Sequence, residues 1–273
     1  MAKKPLIGIC LPNKGNFFAE LFIRLNLYLS GAKSVSLRAN NHISKDKIDG
    51  MILSGGSDIN PVLYGGRKDA HNTKLDKKRD AFELDMISYA VKRKIPIFGI
   101  CRGAQLLNIF FEGDLYPTIL DFDEYIIHQN SIFPIKDVYV KKKTKLFDIL
   151  KKDKIKANSI HNQAINKVGE SLKVTAEHEG LIQAIEKRNY PFMLAVQWHP
   201  EYLFYIKEHR ELFNDFVKAC NKKKGWNFFV SIIELIFVLY ERIYSPFKTE
   251  RTVDLLVFSS LVILIILISP FSV

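Results

Sequence analysis

The run Ile95-Pro96-Ile97-Phe98-Gly99-Ile100-Cys101-Arg102-Gly103 constrains the fold of this 273-residue chain more than any other stretch. A β-branched apolar segment stops at Cys101, and apolar residues at helical spacing follow at once over residues 103–111. A strand that turns directly into a helix, and is apolar on both faces, belongs in a parallel sheet covered by helices. The neighbouring segments agree. Residues 5–11 read as a short buried strand, 16–29 as an amphipathic helix ending near Gly31, 34–37 as the next strand, and 48–54 as a strand running into Gly55-Gly56. A polar loop is predicted over residues 57–75, an amphipathic helix over 79–93, later strands over 138–140, 174–176 and 194–197, and a closing helix over 203–220. The expectation is a three-layer α/β domain with a mostly parallel sheet, occupying residues 1–222.

Composition excludes some classes of function. The formal net charge of +11 invites a nucleic-acid reading, but the lysines are scattered. Zinc-knuckle spacing, aromatic–basic alternation and a recognition-helix pattern are all missing from the sequence, so no nucleic-acid partner is expected. Cys10, Cys101 and Cys220 do not pair by count and have no metal-ligand spacing, so neither a disulfide framework nor a metal site is expected. A free nucleophilic thiol suits a reducing compartment. The first residues, Met-Ala-Lys-Lys-Pro, carry no apolar stretch of signal-peptide length, which places the expected catalytic part in the cytoplasm.

Three short blocks carry chemistry. Gly99-Ile100-Cys101-Arg102-Gly103 is the thiol counterpart of the Gly-x-Ser-x-Gly nucleophile turn. Glycines on both sides let backbone pack closely, and the helix beginning at the turn points its free N–H groups and positive dipole end at the sulfur, favouring thiolate. A cysteine at a strand end is more often a small buried hydrophobe. The second block, Gln197-Trp198-His199-Pro200-Glu201, supplies what that cysteine would need: His199 to take the thiol proton and return it to a leaving amine, and Glu201 to hold the imidazole tautomer. The third, Ser54-Gly55-Gly56-Ser57, follows a strand and can aim a backbone N–H, that of Gly56, at an oxyanion together with the N–H of Arg102.

In this order the blocks resemble the class I (triad) glutamine amidotransferases, and more narrowly the γ-glutamyl-γ-aminobutyrate hydrolase-like, peptidase C26 branch. The resemblance covers about residues 4–220. It is carried by Lys4-Pro5-Leu6-Ile7-Gly8-Ile9, by Gly55-Gly56-Ser57-Asp58-Ile59-Asn60-Pro61, by Arg79-Asp80-Ala81-Phe82-Glu83, by Gly99 through Asn108, by Asn158-Ser159-Ile160-His161-Asn162-Gln163-Ala164-Ile165, and by Gln197 through Glu201. It implies a flavodoxin-like amidotransferase domain and hydrolysis of a small γ-glutamyl amide through a thioester on Cys101, without a cofactor. It also implies that Gln105 helps to hold the glutamyl group and that His161 lies near the site. Three departures bear on the substrate: Glu112-Gly113-Asp114-Leu115 stands where the family has Gly-Gly-x-Leu, Asn162 stands where it has a second histidine, and the region between the first two strands is short. Two other functions stay open at this level: an ammonia-donating glutaminase subunit of a separate synthetase partner, and a catalytically silent membrane-bound scaffold.

Beyond residue 222 the composition changes. Residues 255–273 contain no charge, close to the roughly 20 residues that cross a bilayer as a helix. Residues 225–240 form a second apolar stretch broken only by Glu234, directly after Lys222, Lys223 and Lys224. A membrane-associated tail is therefore expected over 223–273, with an interfacial or short membrane helix over 225–245 and a transmembrane helix over 253–271, tethering a cytoplasmic catalytic domain.

Overall fold

A computed structural model describes residues 4–40, 45–66, 75–122 and 130–221. In chain order the elements are β1 (Leu6–Cys10), α1 (Phe17–Leu29), β2 (Lys33–Leu37), β3 (Gly50–Leu53), α2 (Lys77–Arg93), β4 (Ile97–Ile100), α3 (Arg102–Phe110) and β5 (Leu115–Tyr116). They continue with β6 (Ser131–Val140), α4 (Lys145–Leu150), β7 (Lys154–Ser159), β8 (Ala164–Ile165), β9 (Leu172–His178), β10 (Leu181–Lys187), β11 (Met193–Val196) and α5 (Lys207–Cys220). Among the described residues, nine strands form one sheet in the order β2-β1-β3-β4-β11-β10-β9-β6-β7, while β5 and β8 pair separately.

The predicted parallel core is present: β2, β1, β3, β4 and β11 run side by side in parallel, with Ile97 of β4 opposite Met51 on one side and Met193 on the other. The sheet is mixed rather than mostly parallel, however, because β11–β10, β10–β9, β9–β6 and β6–β7 are all antiparallel. This half was poorly legible in the sequence for local reasons. Pro134 sits inside β6, whose pairing with β7 is irregular between Ser131 and Lys136, and the register of β10 shifts on either side of Ala184. Pro and bulges both erase the two-residue alternation that marks a strand.

Successive residues of the central strands point to opposite layers, as pleating requires. Ile7, Ile9, Ile52, Phe98 and Leu194 join a core with Ile23 and Leu27 of α1, Leu146 of α4 and Phe213 and Phe216 of α5. Met51, Leu53, Ile97 and Met193 join the other core, with Met86 and Ile87 of α2 and Leu106 and Leu107 of α3. The three layers expected from the sequence are thus present. Helix α2 begins two residues before the predicted start, because the Asp76 side chain caps it by accepting the Arg79 N–H at 3.1 Å.

The expectation of a membrane-anchored protein is corrected here. Among the described residues, no helix is long and apolar enough to cross a membrane. The segments that prompted that expectation, 225–245 and 253–271, and with them the expected C-terminal hydrophobic helices, lie outside the described residues.

Candidate active site

Cys101 stands between β4 and α3, at the C-terminal edge of the parallel strands. Its backbone is left-handed, φ 51° and ψ −106°, a conformation that costs a non-glycine residue roughly 1–3 kcal/mol and persists only where surroundings enforce it. Here the Cys101 N–H donates to Val196 O at 2.8 Å, tying the turn to β11. The flanking glycines are required by close packing: a Cβ on Gly99 would lie 2.7 Å from Ala195 Cβ, and one on Gly103 would collide with the Leu53 carbonyl. The thiol is 4% exposed. Its Sγ is 3.8 Å from Ile160 O, and Gln197 Nε2 donates to it at 3.6 Å.

His199 and Glu201 follow β11 around a short turn, Pro200–Leu203. His199 Nδ1 is 2.7 Å from Glu201 Oε1, and Glu201 is fully buried. That contact leaves Nε2 as the imidazole's other working nitrogen. The histidine is clamped by its backbone: Asn158 Oδ1 accepts the His199 N–H at 2.8 Å and Asn158 Nδ2 donates to His199 O at 2.9 Å. Tyr202 stacks on the imidazole with ring centres 5.5 Å apart. Behind it, Trp198 Nε1 donates to His209 Nδ1 at 3.2 Å, and burial pushes His209 down to about 4, so this neighbour stays neutral. Burial also presses His199 toward its neutral form. The opposing attraction of Glu201 and of Cys101, reinforced by hydrogen bonds to both, is stronger and holds His199 well above its ordinary value.

The Ser54–Gly56 corner faces these groups. A Cβ on Gly55 would lie 2.5 Å from His199 Cε1. The Gly55 carbonyl receives Asn16 Nδ2 at 3.0 Å and Arg79 Nη2 at 3.2 Å. Gly56 is exposed, although a side chain there would run into the Arg79 guanidinium. Arg102, which follows Cys101, turns its side chain inward to pair with Glu83 and Asp80. Gln105 donates from Nε2 to Gln163 O at 2.8 Å and to Gln197 Oε1 at 3.1 Å, so its amide N–H groups brace the site from inside. His161 is buried, with Nδ1 3.0 Å from Gln163 O. The loop carrying it is pinned over the thiol by Gln163, which accepts the Ile59 N–H at 2.8 Å and donates to Ile59 O at 3.1 Å.

The structure brings predicted residues together around His199: Glu201 Oε1 lies 2.7 Å from its Nδ1, Gly55 packs against its ring, and Cys101 is close enough to raise its proton affinity. Sequence reasoning did not assign site roles to Asn158, Arg79, Asp80, Glu83, Gln163 or Gln197. Signals existed for some of them: Arg79 and Glu83 are four apart on one helix face, and Asn158 opens one of the motif blocks. Among the described residues, no group of three or more His, Cys, Asp or Glu side chains is arranged to hold a metal ion. A groove lined by Lys143, Lys145, Glu186, Arg188 and Tyr190 opens at the opposite end of β11 and touches none of the site residues.

The chain is similar to known proteins over much of its length. The profile of the family described as Peptidase C26 matches residues 35–201. Gamma-glutamyl-gamma-aminobutyrate hydrolase PuuD of Escherichia coli (strain K12) is 34% identical over 188 residues, which cover 64% of this chain and 72% of that protein. Protein NtpR of Enterococcus hirae is 37% identical over 163 residues, covering 57% and 68%. Among solved structures, the glutaminase domain of CTPS from Trypanosoma brucei, determined with bound acivicin, matches with a TM-score of 0.53 over 82% of this chain and 96% of that one. At 16% identity this last likeness speaks for the fold alone. With the profile spanning more than half of the sequence, the chain belongs to the Peptidase C26 family, a branch of the class I glutamine amidotransferases.

Proposed function

We propose that the protein hydrolyses a small γ-glutamyl amide, with Cys101 as nucleophile, His199 as base and then acid, and Glu201 as the group that orients His199. The observation that carries this reading is the buried line from Glu201 through His199 to Cys101: a 2.7 Å contact holds the imidazole, and both partners raise its proton affinity beside a thiol on a strained turn. An imidazole held by a carboxylate beside a thiol is the arrangement in which an adjacent base activates a cysteine nucleophile. The 34% identity to a gamma-glutamyl-gamma-aminobutyrate hydrolase supports the substrate class.

In this mechanism the thiolate attacks the δ-carbonyl carbon. The resulting oxyanion accepts from the backbone N–H groups of Gly56 and Arg102. His199 protonates the leaving nitrogen, the C–N bond breaks, and a γ-glutamyl thioester remains on Cys101. His199 then deprotonates a water that attacks the thioester. The C–S bond breaks, glutamate leaves, and the proton returns to the Cys101–His199 pair. No step needs a cofactor.

The test is turnover of a panel of γ-glutamyl amides by the full-length chain, including glutamine, γ-glutamyl-γ-aminobutyrate and γ-glutamyl-p-nitroanilide, with Cys101→Ala alongside. Turnover that disappears in the variant supports the reading, and the best substrate identifies the amine. No turnover, together with a Cys101 inert to a glutamine-like chloroketone, sinks it.

A further inference from the structure

Four charged side chains lie fully inside the protein between α2 and the two backbone segments assigned above to the oxyanion. Arg79, Asp80, Glu83 and Arg102 are each no more than 3% exposed. Glu83 bridges both arginines: it accepts Arg79 Nε at 2.7 Å on one oxygen and pairs with Arg102 Nη1 on the other. Asp80 pairs with Arg102 Nη2 and also receives the Asn60 N–H at 3.3 Å. The second arm is held by Arg79, whose Nη2 donates to Ser54 O at 3.0 Å, Ser54 Oγ at 3.1 Å and Gly55 O at 3.2 Å. Arg79 Nη1 has no hydrogen-bond partner and lies directly against Gly56, where only a glycine leaves it room.

The four formal charges sum to zero, and the connections run in one direction. The Ser54–Gly56 corner is held by Arg79, Arg79 by Glu83, Glu83 by Arg102, and Arg102 is the residue whose N–H follows the nucleophile. An ordinary helix–sheet contact would use apolar side chains here, because burying four charges confers little net stability. Rigid paired guanidinium forks instead fix distance and angle, and an oxyanion hole depends on both.

We propose that Arg79, Asp80, Glu83 and the Arg102 side chain form a buried clamp that sets the separation of the two oxyanion donors, Gly56 N–H and Arg102 N–H. They are positioning residues for acyl transfer, and the inference builds on the hydrolase reading above. The clamp acts on the oxyanion and not on the thiolate, so the two can be separated. Iodoacetamide alkylation of Cys101 needs a thiolate but forms no oxyanion at the enzyme, whereas amide turnover needs both.

The experiment compares the full-length wild type with Glu83→Gln and Asp80→Asn, measuring kcat, KM and the rate of Cys101 alkylation by iodoacetamide, with folding checked by circular dichroism. The expected result for Glu83→Gln is a kcat lower by about tenfold to a hundredfold, the scale of a misplaced oxyanion donor, with KM and alkylation rate each within about threefold of wild type. Asp80→Asn keeps the side-chain shape and removes one pairing, so it should show the same split with a smaller loss, and it decides the matter if Glu83→Gln fails to fold. Wild-type kcat in the folded variants, or kcat and alkylation falling together, overturns the clamp. A wild type that neither turns over nor alkylates overturns the hydrolase reading first, and the clamp with it.

Discussion

Glu201 acts on a single atom, His199 Nδ1, and its removal should be read at that atom. Glu201→Gln keeps the shape and removes the negative charge that raises His199. We expect kcat to fall roughly a hundredfold, within the range of a mis-set acid–base residue. The alkaline limb of kcat/KM should also move to lower pH, because an imidazolium no longer facing a carboxylate loses its proton more readily. An unmoved limb in the pH profile would show that another group controls it. Stability carries the same sign. A histidine whose folded proton affinity is raised stabilises the fold fully below its unfolded value near 6.5, and that contribution disappears as pH rises through the higher folded value. The Tm advantage of wild type over His199→Gln should therefore be largest in mildly acidic buffer and shrink in alkaline buffer.

At the scale of elements, the site is a meeting of strand ends, and its accuracy comes from packing between them. Asn158, the fifth residue of β7, holds the backbone of His199 just beyond β11 by two hydrogen bonds. Asn158→Ala leaves a buried N–H and carbonyl unpaired, which should lower unfolding free energy by about 1–3 kcal/mol. Activity should drop roughly tenfold to a hundredfold, because small displacements of a catalytic group are costly. Chemical denaturation and steady-state kinetics measure the two effects separately. Helix α3 approaches β3 so closely at Gly103 that any side chain meets the Leu53 carbonyl. Gly103→Ala should destabilise by about 1–3 kcal/mol through overpacking, seen as a lower denaturant midpoint with an unchanged m-value.

For the whole molecule, the buried charges of α2 and α3 distinguish stability from function. Removing Glu83 alone, as Glu83→Leu, leaves two guanidiniums facing one carboxylate in the interior and should cost about 3–5 kcal/mol. Arg79→Met combined with Glu83→Leu restores neutrality, with Arg102 still paired to Asp80. Its Tm should return close to wild type while turnover stays low. A double variant less stable than Glu83→Leu would mean that the pairs themselves hold the fold together. The sheet shows the same division of roles: its parallel half carries Cys101 and the His199 turn, and its antiparallel half supplies β7 and through it Asn158.

The sequence by itself determined whatever is encoded over a few neighbouring residues. The strand-to-helix turn at Cys101, the His199–Glu201 pair two residues apart, the Gly55-Gly56 corner and the alternating strands and helices of the parallel half are all local patterns. Of the antiparallel half it determined residues 138–140 and 174–176, inside β6 and β9, but not the strands' full extent or direction, because Pro134 and the shifted register of β10 erase the alternation around them. The tertiary structure alone decided which distant partners the polar side chains of the site meet. Asn158 meets a residue 41 positions away, Arg79 one 25 away, and Gln105 one 92 away. Hydrogen bonds and buried ion pairs act over about 3 Å of space, and only the folded sheet sets which distant residues come that close.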